Sequence, residues 1–435
     1  MIVFINMLKL KGSILLVLLF IFISCFCFGQ SKIIEGVVMD SNKKESLAFA
    51  TIGIKGSTVG TASNSEGRFI LSIPENFQDS ILFCSYMGYK NFEIRVSSAE
   101  SMIRIEMERD VFTLDEVEIR PWQPWDYVWA AMKKIPENYP QNPYMTIGYY
   151  SEYVSENEVY LKFTEGVIET YNPSYASDEN SQSKVIKARR RDDLGTLQFM
   201  RDKLEKKFEK EKRKAEKKGE EWTEKNSIDE EIISASFGGP EEILKADPLR
   251  DTASFLDIKF MKKYRYSIEG YSRYHGEQVI IIGFESKGIY EHQRQKGNIY
   301  ISLESDAIVA IEYDSEIVIP AIARPVIFVV GFGITNPEFH AVVHYKPVGG
   351  RWYLNDISLE GGTRLTRKKM FKKNERSNFY IEMALINNQF ELTNVDEISE
   401  EDRIDNEKPL EEQVDPDPEF WETYKVIRSS FSDQD

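Results

Sequence analysis

Apolar and polar residues alternate in short segments along the first quarter of the chain, and turn residues separate these segments. Phe69, Leu71 and Ile73 share one face of a predicted strand, because successive side chains of a strand point to opposite sides. The run Asn64–Gly67 is typical of a hairpin turn, since asparagine and glycine tolerate positive φ. The pattern predicts a seven-stranded β-sandwich over residues 30–110.

The alternation returns in longer segments over residues 143–394. The runs 264–268, 279–284 and 299–303 each suit a strand, and the short connections between them favour antiparallel neighbours. We therefore predict a second, larger domain built on a curved antiparallel sheet, and a mainly β fold class for the whole chain.

Two segments interrupt this β-rich pattern. Residues 111–142 are predicted to form a linker and a short helix, in which Pro124 suits the first turn. Residues from about 196–226 are highly charged, and we predict a solvated helical insertion supported by ion pairs between neighbouring turns. A basic arm that touches anionic lipid headgroups is the alternative, because Arg201 to Lys218 holds ten basic and five acidic side chains.

The composition changes again over residues 395–435. The stretch from Asp396 to Asp435 holds 15 acidic and 4 basic side chains. Such a segment has little apolar surface to offset the entropy of ordering, so we predict a mostly disordered acidic tail. Phe420, Trp421 and Tyr424 are the exception, and they could dock back on the sheet or serve as a short partner-binding motif.

The chain of 435 residues is 42% apolar and 29% charged, which is an ordinary globular composition with room for two or three domains. Its formal net charge is −16. This balance argues against a nucleic-acid partner, because phosphate binding requires clustered lysine and arginine. Beyond the N-terminal segment no apolar run is long enough to cross a bilayer, so the sequence excludes a polytopic membrane protein.

Residues 1–29 have the three parts of a secretory signal: a basic flank, a ten-residue apolar core and a small-residue cleavage site. We predict cleavage between Gly29 and Gln30, and export to the periplasm or the outer membrane. An uncleaved anchor is one alternative, although the core is shorter than the roughly 20 residues that span a bilayer. Lipid attachment at Cys25 is another, with Phe22 where such motifs usually have leucine.

Removal of this segment would leave Cys84 as the only cysteine and would allow no internal disulfide. Cys84 ends the apolar run Ile81–Cys84, where a small buried hydrophobic residue is the usual explanation.

The first domain also carries a resemblance. Its distinctive stretches are I-x-G-x-V-x-D at 34–40, AFATIGIKGSTVG at 48–60, TASNSEGRFILSIP at 61–74 and FCSYMGYK at 83–90. Together they resemble the carboxypeptidase regulatory-like, or transthyretin-like, β-sandwich that also precedes the plug of many TonB-dependent outer-membrane transporters. Asn64 and Glu66 stand where aspartate is frequent, and Ser46 to Ala48 stand where proline is frequent, which weakens the idea of a calcium-bound turn. The resemblance implies a folding or docking module without catalytic residues of its own.

The following segments resemble other envelope proteins. FTLDEVEIR at 112–120 is similar to the linker that leads into a transporter plug, yet the 315 residues after it are too few for a plug and 22 strands of about 10 residues with their loops. The run 125–171 is similar to a segment of uncharacterised Bacteroidetes envelope proteins. The succession 264–313 resembles the curved sheet of lipoprotein-carrier (LolA-like) folds, in which an incomplete barrel shelters an apolar cavity.

Metal and nucleophile motifs are not found in the sequence. His340 and His344 have the spacing of a helical metal pair, but they lie in strand-like alternation and would be about 13 Å apart. Two ligands of one zinc ion, each bonded at about 2.0–2.1 Å, cannot be that distant. The sequence therefore predicts no metal and no cofactor.

Carboxylates are the better candidates for a polar site. On regular strands, Glu152 shares a face with Tyr150 and Val154, and Glu165 shares a face with apolar neighbours, so either side chain could point inward. Buried carboxylates require partners, and the basic run that contains Arg189 and Arg191 could supply them. A structural ion pair, a ligand-binding clamp formed by Glu152, Glu165, Arg189 and Arg191, and general acid–base catalysis all remain open.

Three functional hypotheses follow. The first is an exported, non-enzymatic binding or scaffolding protein of the cell envelope, in which the sandwich docks an envelope protein partner. The second is a carrier for an apolar ligand or lipid in a curved-sheet cavity. The third is a carboxylate-dependent hydrolase, which would require Glu152 and Glu165 to converge in an open cleft, since two carboxylates without a nucleophile or metal specify no reaction by themselves.

Overall fold

A computed structural model gives the fold of most of the chain. It describes residues 32–64, 66–110, 121–157, 159–190, 209–210, 212–218, 239–250, 253, 255–319, 332–367, 374–406 and 408–423. The predictions for the export segment, for Cys25, for Gly29 and Gln30, and for Arg191 lie outside these residues. The mainly β fold class is confirmed, with a sandwich first and a large antiparallel sheet after it.

The first domain is a sandwich of seven strands in two sheets, as predicted. The strands are β1 (Lys32–Asp40), β2 (Thr51–Ile54), β3 (Gly60–Ala62), β4 (Arg68–Ile73), β5 (Ile81–Ser85), β6 (Phe92–Arg95) and β7 (Met102–Met107). One sheet has the order β4-β1-β7 and the other has the order β3-β2-β5-β6. Strand β1 runs antiparallel to β4 and parallel to β7.

The two sheets enclose a continuous apolar core. Phe69, Leu71 and Ile73 all point into it, as the alternation predicts. Cys84 is fully buried there as a free thiol, which confirms the expectation for this residue. Gly67 has φ +74°, and a Cβ at this position would lie 2.4 Å from the carbonyl oxygen of Val38, so the hairpin requires glycine.

The second domain is built on one sheet of eleven strands. They are β8 (Tyr144–Glu156), β9 (Val159–Asn172), β10 (Gln182–Arg190), β11 (Tyr264–Tyr274), β12 (Glu277–Ser286), β13 (Gln293–Ser302), β14 (Ile308–Ile317), β15 (Phe332–Ile334), β16 (Glu338–Val348), β17 (Arg351–Arg367) and β18 (Glu375–Glu391). The order is β10-β9-β8-β18-β17-β16-β14-β13-β12-β11, with β15 paired to one end of β17. All these pairs are antiparallel.

The two faces of this sheet differ in character. One face, called here the apolar face, carries residues of the large core of the domain: Tyr150, Ile299, Ile311, Val343 and Ile357. Helices and loops of the same chain cover it. They include α1 (Pro124–Lys133), α2 (Ile135–Asn138), α3 (Pro240–Leu244) and the segment 255–261.

The opposite face, called here the polar face, carries charged residues between apolar ones, and the sandwich lies against it. The sandwich strand β3 contacts β18 of the large sheet. Ile386 of β18 is 3% exposed and packs into the core of the sandwich. The two domains therefore share part of one apolar core.

The C-terminal segment differs from the expected disordered tail. Residues 395–406 and 408–423 lie along β9 and β10, and they include the helix α4 (Pro418–Thr423). Its acidic side chains pair with basic ones of β10: Lys184 with Asp402 at 3.2 Å, Lys187 with Asp417 at 2.6 Å, and Arg190 with Glu411 at 3.7 Å. Ile398, Ile404, Leu410 and Trp421 are buried. The net charge of the segment did not predict that it is ordered, because net charge does not show that basic residues of β10 pair with it.

The charged insertion is described only in part. Residues 209–210 and 212–218 are helical, and most of their side chains are exposed. Arg213 pairs with Glu209 one turn earlier, at 3.3 Å. The other residues of the predicted insertion lie outside the described part of the chain. Across the described residues, the helices are all too short or too polar to cross a membrane.

Candidate ligand cleft between the two domains

The two glutamates singled out from the sequence lie on opposite faces of the large sheet. Glu165 is opposite Ser151 in the β8–β9 register, whereas Glu152 is opposite Thr164. Side chains on directly opposed residues share a face, so Glu165 lies on the polar face and Glu152 on the apolar face. The convergence that a two-carboxylate hydrolase would require is therefore not formed by this pair.

Glu165 and Arg189 form a close pair on adjacent strands. The Nε of Arg189 donates to the Glu165 carboxylate at 2.5 Å, and the Tyr149 hydroxyl donates to the other oxygen at 2.8 Å. Glu165 is 1% exposed, and the indole of Trp421 covers the guanidinium, with its ring centroid 4.6 Å from Cζ. Both Glu165 and Arg189 are thus already engaged by other side chains of the protein.

Glu152 is held on the apolar face. It accepts a hydrogen bond from the Tyr150 hydroxyl at 2.9 Å, and that hydroxyl accepts one from the backbone N–H of Gly239 at 3.0 Å. Gly239 directly precedes α3, so this carboxylate helps to anchor the start of that helix to the sheet. The structure does not bring Glu152 together with Arg189.

The sandwich is attached to the polar face by a set of polar contacts. The backbone N–H of Gly88 donates to the carbonyl of Arg273 at 3.2 Å. The N–H of His275 donates to the Ser85 hydroxyl at 3.1 Å. Further contacts join the Thr51 and Tyr274 hydroxyls at 3.2 Å, and Arg273 and Asp110 at 3.1 Å. The β11–β12 hairpin therefore docks directly on the sandwich.

Beside this interface, a cleft of about 700 Å³ separates the two domains. We call it the interdomain cleft. The sandwich lines it with Ala48, Phe49, Glu66, Tyr86 and Met87, and the sheet lines it with residues that include Tyr300, Glu312, His340, His344, Glu360, Tyr380 and Glu382. Neither domain forms the cleft alone.

The sheet wall of the cleft contains most of a row of titratable side chains. His340, Glu360 and Glu382 line the cleft and lie directly opposite one another on β16, β17 and β18, and Asp314 continues the row on β14, outside the cleft lining. The Nδ1 of His340 is 2.8 Å from the Asp314 carboxylate, and the Tyr380 hydroxyl donates to Glu360 at 2.5 Å. Hydrogen-bonded carboxylates in this row can accept hydrogen bonds from a ligand.

Burial and charge shift the pKa of two groups in the cleft. Burial, with the negative charge of Glu360, raises the pKa of Glu382 above its ordinary value. Burial alone would lower the pKa of His344, but the charge of Asp356 and its 2.9 Å hydrogen bond outweigh this effect and raise it. His344 is therefore protonated more readily than a free imidazole would be.

Sequence reasoning did not identify this row of residues. Period-two alternation along β14 could have placed Glu312 and Asp314 on one face. The neighbours on the other strands depend on the register between distant segments, which one sequence does not reveal. Among the residues that the structure describes, no group of three or more histidine, cysteine, aspartate or glutamate side chains is arranged to hold a metal ion.

A second opening, the apolar groove, lies on the other side of the sandwich and has a volume of about 660 Å³. Its walls are mostly aliphatic and aromatic. They include Ile33, Ile70, Leu71, Tyr149, Val167, Ile186, Phe390 and Phe420. Strands of both domains and the helix α4 border it.

Comparison with known proteins confirms the resemblance of the first domain. Residues 34–119 match the family model of the CarboxypepD_reg-like domain. The TonB-dependent receptor SusC of Bacteroides thetaiotaomicron is 33% identical over 97 residues, which are 22% of this chain and 9% of the receptor. The TonB-dependent receptor P3 of Formosa agariphila is 28% identical over 109 residues, 25% of this chain and 10% of the receptor. The chain thus spans about a tenth of the length of these relatives.

Solved structures similar to the chain include two of low TM-score. A putative outer membrane lipoprotein-sorting protein domain from Vibrio parahaemolyticus has a TM-score of 0.24 at 8% identity, covering 63% of this chain and 95% of that one. A DUF1329 family protein from Desulfovibrio piger has a TM-score of 0.20 at 10% identity, covering 63% and 93%. Residues 34–119 of this chain thus match a CarboxypepD_reg-like domain, and a large antiparallel sheet follows them.

Proposed function

We propose that the protein is an exported, non-enzymatic binding or scaffolding protein of the cell envelope, and that its ligand lies in the interdomain cleft. The observation that carries this proposal is that both domains line one cleft of about 700 Å³. Ligand sites occur preferentially at such domain boundaries. The partial similarity of the chain to two TonB-dependent receptors supports an envelope location.

The lining of the cleft favours a polar ligand. Glu312, Glu360 and Glu382 offer carboxylate oxygens, while Phe49 and Met87 offer apolar contacts on the opposite wall. Carboxylates accept hydrogen bonds from hydroxyl and ammonium groups, and apolar surfaces pack against the body of a ligand. We therefore expect a ligand that carries hydroxyl or ammonium groups on a compact apolar frame.

The sandwich acts as a docking module in this proposal, but its first docking partner is the sheet of the same chain. The contacts of Thr51, Ser85 and Gly88 with the β11–β12 hairpin fix the width of the cleft. An envelope protein partner would then bind the outer surface of the sandwich.

An apolar-ligand carrier is the second candidate, and the apolar groove favours it. Helices α1 and α3 already cover the apolar face of the sheet, so a lipid in that position would have to displace them. The groove between the sandwich and strands β8 to β10 requires no such displacement. An alkyl chain could lie along its aliphatic walls.

Native mass spectrometry of residues 30–435, purified gently from its own envelope, tests both candidates. The cleft variant is Glu360→Gln with Glu382→Gln, and the matched control is Glu45→Gln with Glu106→Gln, two exposed sandwich residues away from the cleft. A polar small molecule that the control retains and the cleft variant loses would support the proposal. A bound lipid that both variants retain would favour the carrier.

A copurified protein would identify the scaffold partner. A chain that is bare in every preparation, and that crosslinks to nothing inside the cell, would overturn the proposed function.

A further inference from the structure

A third opening lies between the two domains, and we call it the lysine pocket. It has a volume of about 410 Å³. The β2–β3 hairpin of the sandwich forms one wall, and His275 and Lys346 of the large sheet lie at the other. It is separate from the interdomain cleft, and the inference below is independent of the function proposed for that cleft.

Lys346 is a buried amine with few hydrogen-bond partners. Its side chain is on β16 and only 5% of the residue is exposed. The Nζ donates one long hydrogen bond to the carbonyl of Thr58 at 3.4 Å, and it lies 4.2 Å from the centroid of the Phe390 ring. No carboxylate of the described residues forms an ion pair with it. Since a buried charge normally requires a close counter-charge, the site is incomplete as it stands.

The charge state of Lys346 reflects this shortage of partners. Burial lowers the pKa of Lys346 to about 7, and the charge of Asp356 offsets only part of that effect. Asp356 is itself engaged with His344 at 2.9 Å. An anion brought next to Nζ would therefore gain a charge-assisted hydrogen bond that the protein itself does not make.

His275 provides a second polar group at the pocket. Its Nε2 is buried and has no hydrogen-bond partner. The residue has φ +49° and precedes Gly276 with φ +88°, in a hairpin position where asparagine is the usual residue. Histidine is one of the few non-glycine residues that are enriched at positive φ, so the hairpin accepts the imidazole at this position.

The remaining walls restrict the kind of anion. Ile54, Val59, Phe83 and Pro347 supply apolar surface. Glu93 also borders the pocket, where it pairs with Lys55 at 2.7 Å, and its charge opposes a multiply charged ligand. The space next to Lys346 Nζ requires a glycine at position 60. A Cβ on Gly60 would lie 3.3 Å from Nζ and 3.0 Å from the carbonyl oxygen of Ile52.

We propose that the lysine pocket binds an organic monocarboxylate, whose carboxylate contacts Lys346 Nζ and His275 Nε2 and whose apolar part packs on Phe83 and Pro347. The ligand would bridge the sandwich and the sheet, since Phe83 belongs to the first domain and Lys346 to the second. Its binding stabilises their docked arrangement.

The test is a titration of the full mature chain with butanoate. Isothermal titration calorimetry measures the affinity, and NMR of 13Cε-labelled lysine monitors the lysine signals. The wild type should bind butanoate, and one lysine signal should shift to saturation. Inorganic phosphate should bind at least tenfold more weakly. Lys346→Met should weaken butanoate binding about tenfold or more, which is the usual effect of losing one charge-assisted hydrogen bond.

A matched control and a second pocket variant separate the lysine pocket from its surroundings. Lys43→Met changes an exposed lysine of the sandwich that does not border the pocket, and its affinity should stay within about twofold of wild type. His275→Asn keeps a residue that suits the hairpin but removes the imidazole, so it should weaken binding and leave the fold intact. If Lys346→Met fails to fold, the NMR titration of the wild type still decides the question.

The proposal is overturned if the wild type shows no saturable lysine shift, if phosphate binds as tightly as butanoate, or if Lys346→Met retains wild-type affinity.

Discussion

Arg189 on β10 and Glu165 on β9 form an ion pair with 2.5 Å between Nε and the carboxylate, and Trp421 from the C-terminal segment covers this pair. Three segments that are distant in sequence meet at this point. Glu165 is 1% exposed and cannot reach water, so the guanidinium is its main counter-charge. The pair therefore joins the edge of the large sheet to the segment that follows it.

Arg189→Met should destabilise the protein by about 2–3 kcal/mol, since it leaves Glu165 buried and without its cation. The estimate is at the low end because the Arg189 side chain is 32% exposed. Urea denaturation measures the change in the free energy of unfolding. Arg265→Met removes a similar pair with Glu285 in which both partners are largely exposed, and it should change stability by less than about 0.5 kcal/mol. Equal losses in the two variants would contradict the burial argument.

Trp421→Ala should release the C-terminal segment without unfolding the sheet. The side chain is buried against Arg189 at the periphery of the sheet. Its loss should lower the free energy of local opening of the C-terminal segment by about 2 kcal/mol. Hydrogen exchange of residues 395–423 should then be roughly thirtyfold faster, while β16 and β17 stay protected. Glu412→Ala, at an exposed position of the same segment, should leave exchange unchanged. Uniform acceleration across the sheet would contradict this local role.

These contacts show what the sequence could and could not predict. The alternation predicted the seven strands of the sandwich and the antiparallel character of the large sheet, because burial of one face leaves a period of two in the sequence. It did not predict that Glu152 and Glu165 would point to opposite faces. The relative phase of β8 and β9 depends on their pairing register, which the pattern of one strand does not specify.

The interdomain cleft was beyond sequence reasoning for a related reason. The row Asp314, His340, Glu360 and Glu382 comes from four strands, and only their cross-strand pairing brings them together. The position of the sandwich above this row depends on docking contacts between irregular hairpins. Such contacts leave no periodic signal, whereas the resemblance of the first domain was readable because it lies in contiguous motifs.

Asp40 should make the sandwich sensitive to acid. Its carboxylate accepts hydrogen bonds from the backbone N–H groups of Lys43 and Asn42, from Arg109 at 2.8 Å and from Tyr89 at 2.7 Å. These bonds, that of Lys43 first, hold the pKa of Asp40 well below its usual range. The stabilisation is present above the unfolded pKa of about 3.9 and is lost as the pH falls towards the folded value.

Asp40→Asn should therefore be less stable than wild type at pH 7, and the difference should shrink as the pH falls below about 4. Urea denaturation at pH 7 and pH 3 measures both differences. Asp79→Asn, at an exposed position of the same domain, serves as the control and should follow wild type at both values. A difference that is independent of pH would show that the hydrogen bonds of Asp40 do not depend on its charge.

Glu382→Gln should stabilise the protein at neutral pH, because Glu382 lies directly opposite Glu360 and burial raises its pKa. A raised folded pKa means that the wild type has its full stability below the unfolded pKa of about 4.3 and loses part of it as the pH rises through the folded value. Glutamine carries no charge and avoids this loss.

We expect the free energy of unfolding of Glu382→Gln to be about 0.2–1 kcal/mol higher than that of wild type at pH 7, the usual range for a cross-strand pair, and equal to it near pH 4. Glu391→Gln, at an exposed position near the end of the same strand, should show neither effect. Thermal unfolding across pH 4–8 measures these changes. A gain that is equal at pH 4 and pH 8 would show that it does not come from repulsion between the carboxylates of Glu382 and Glu360.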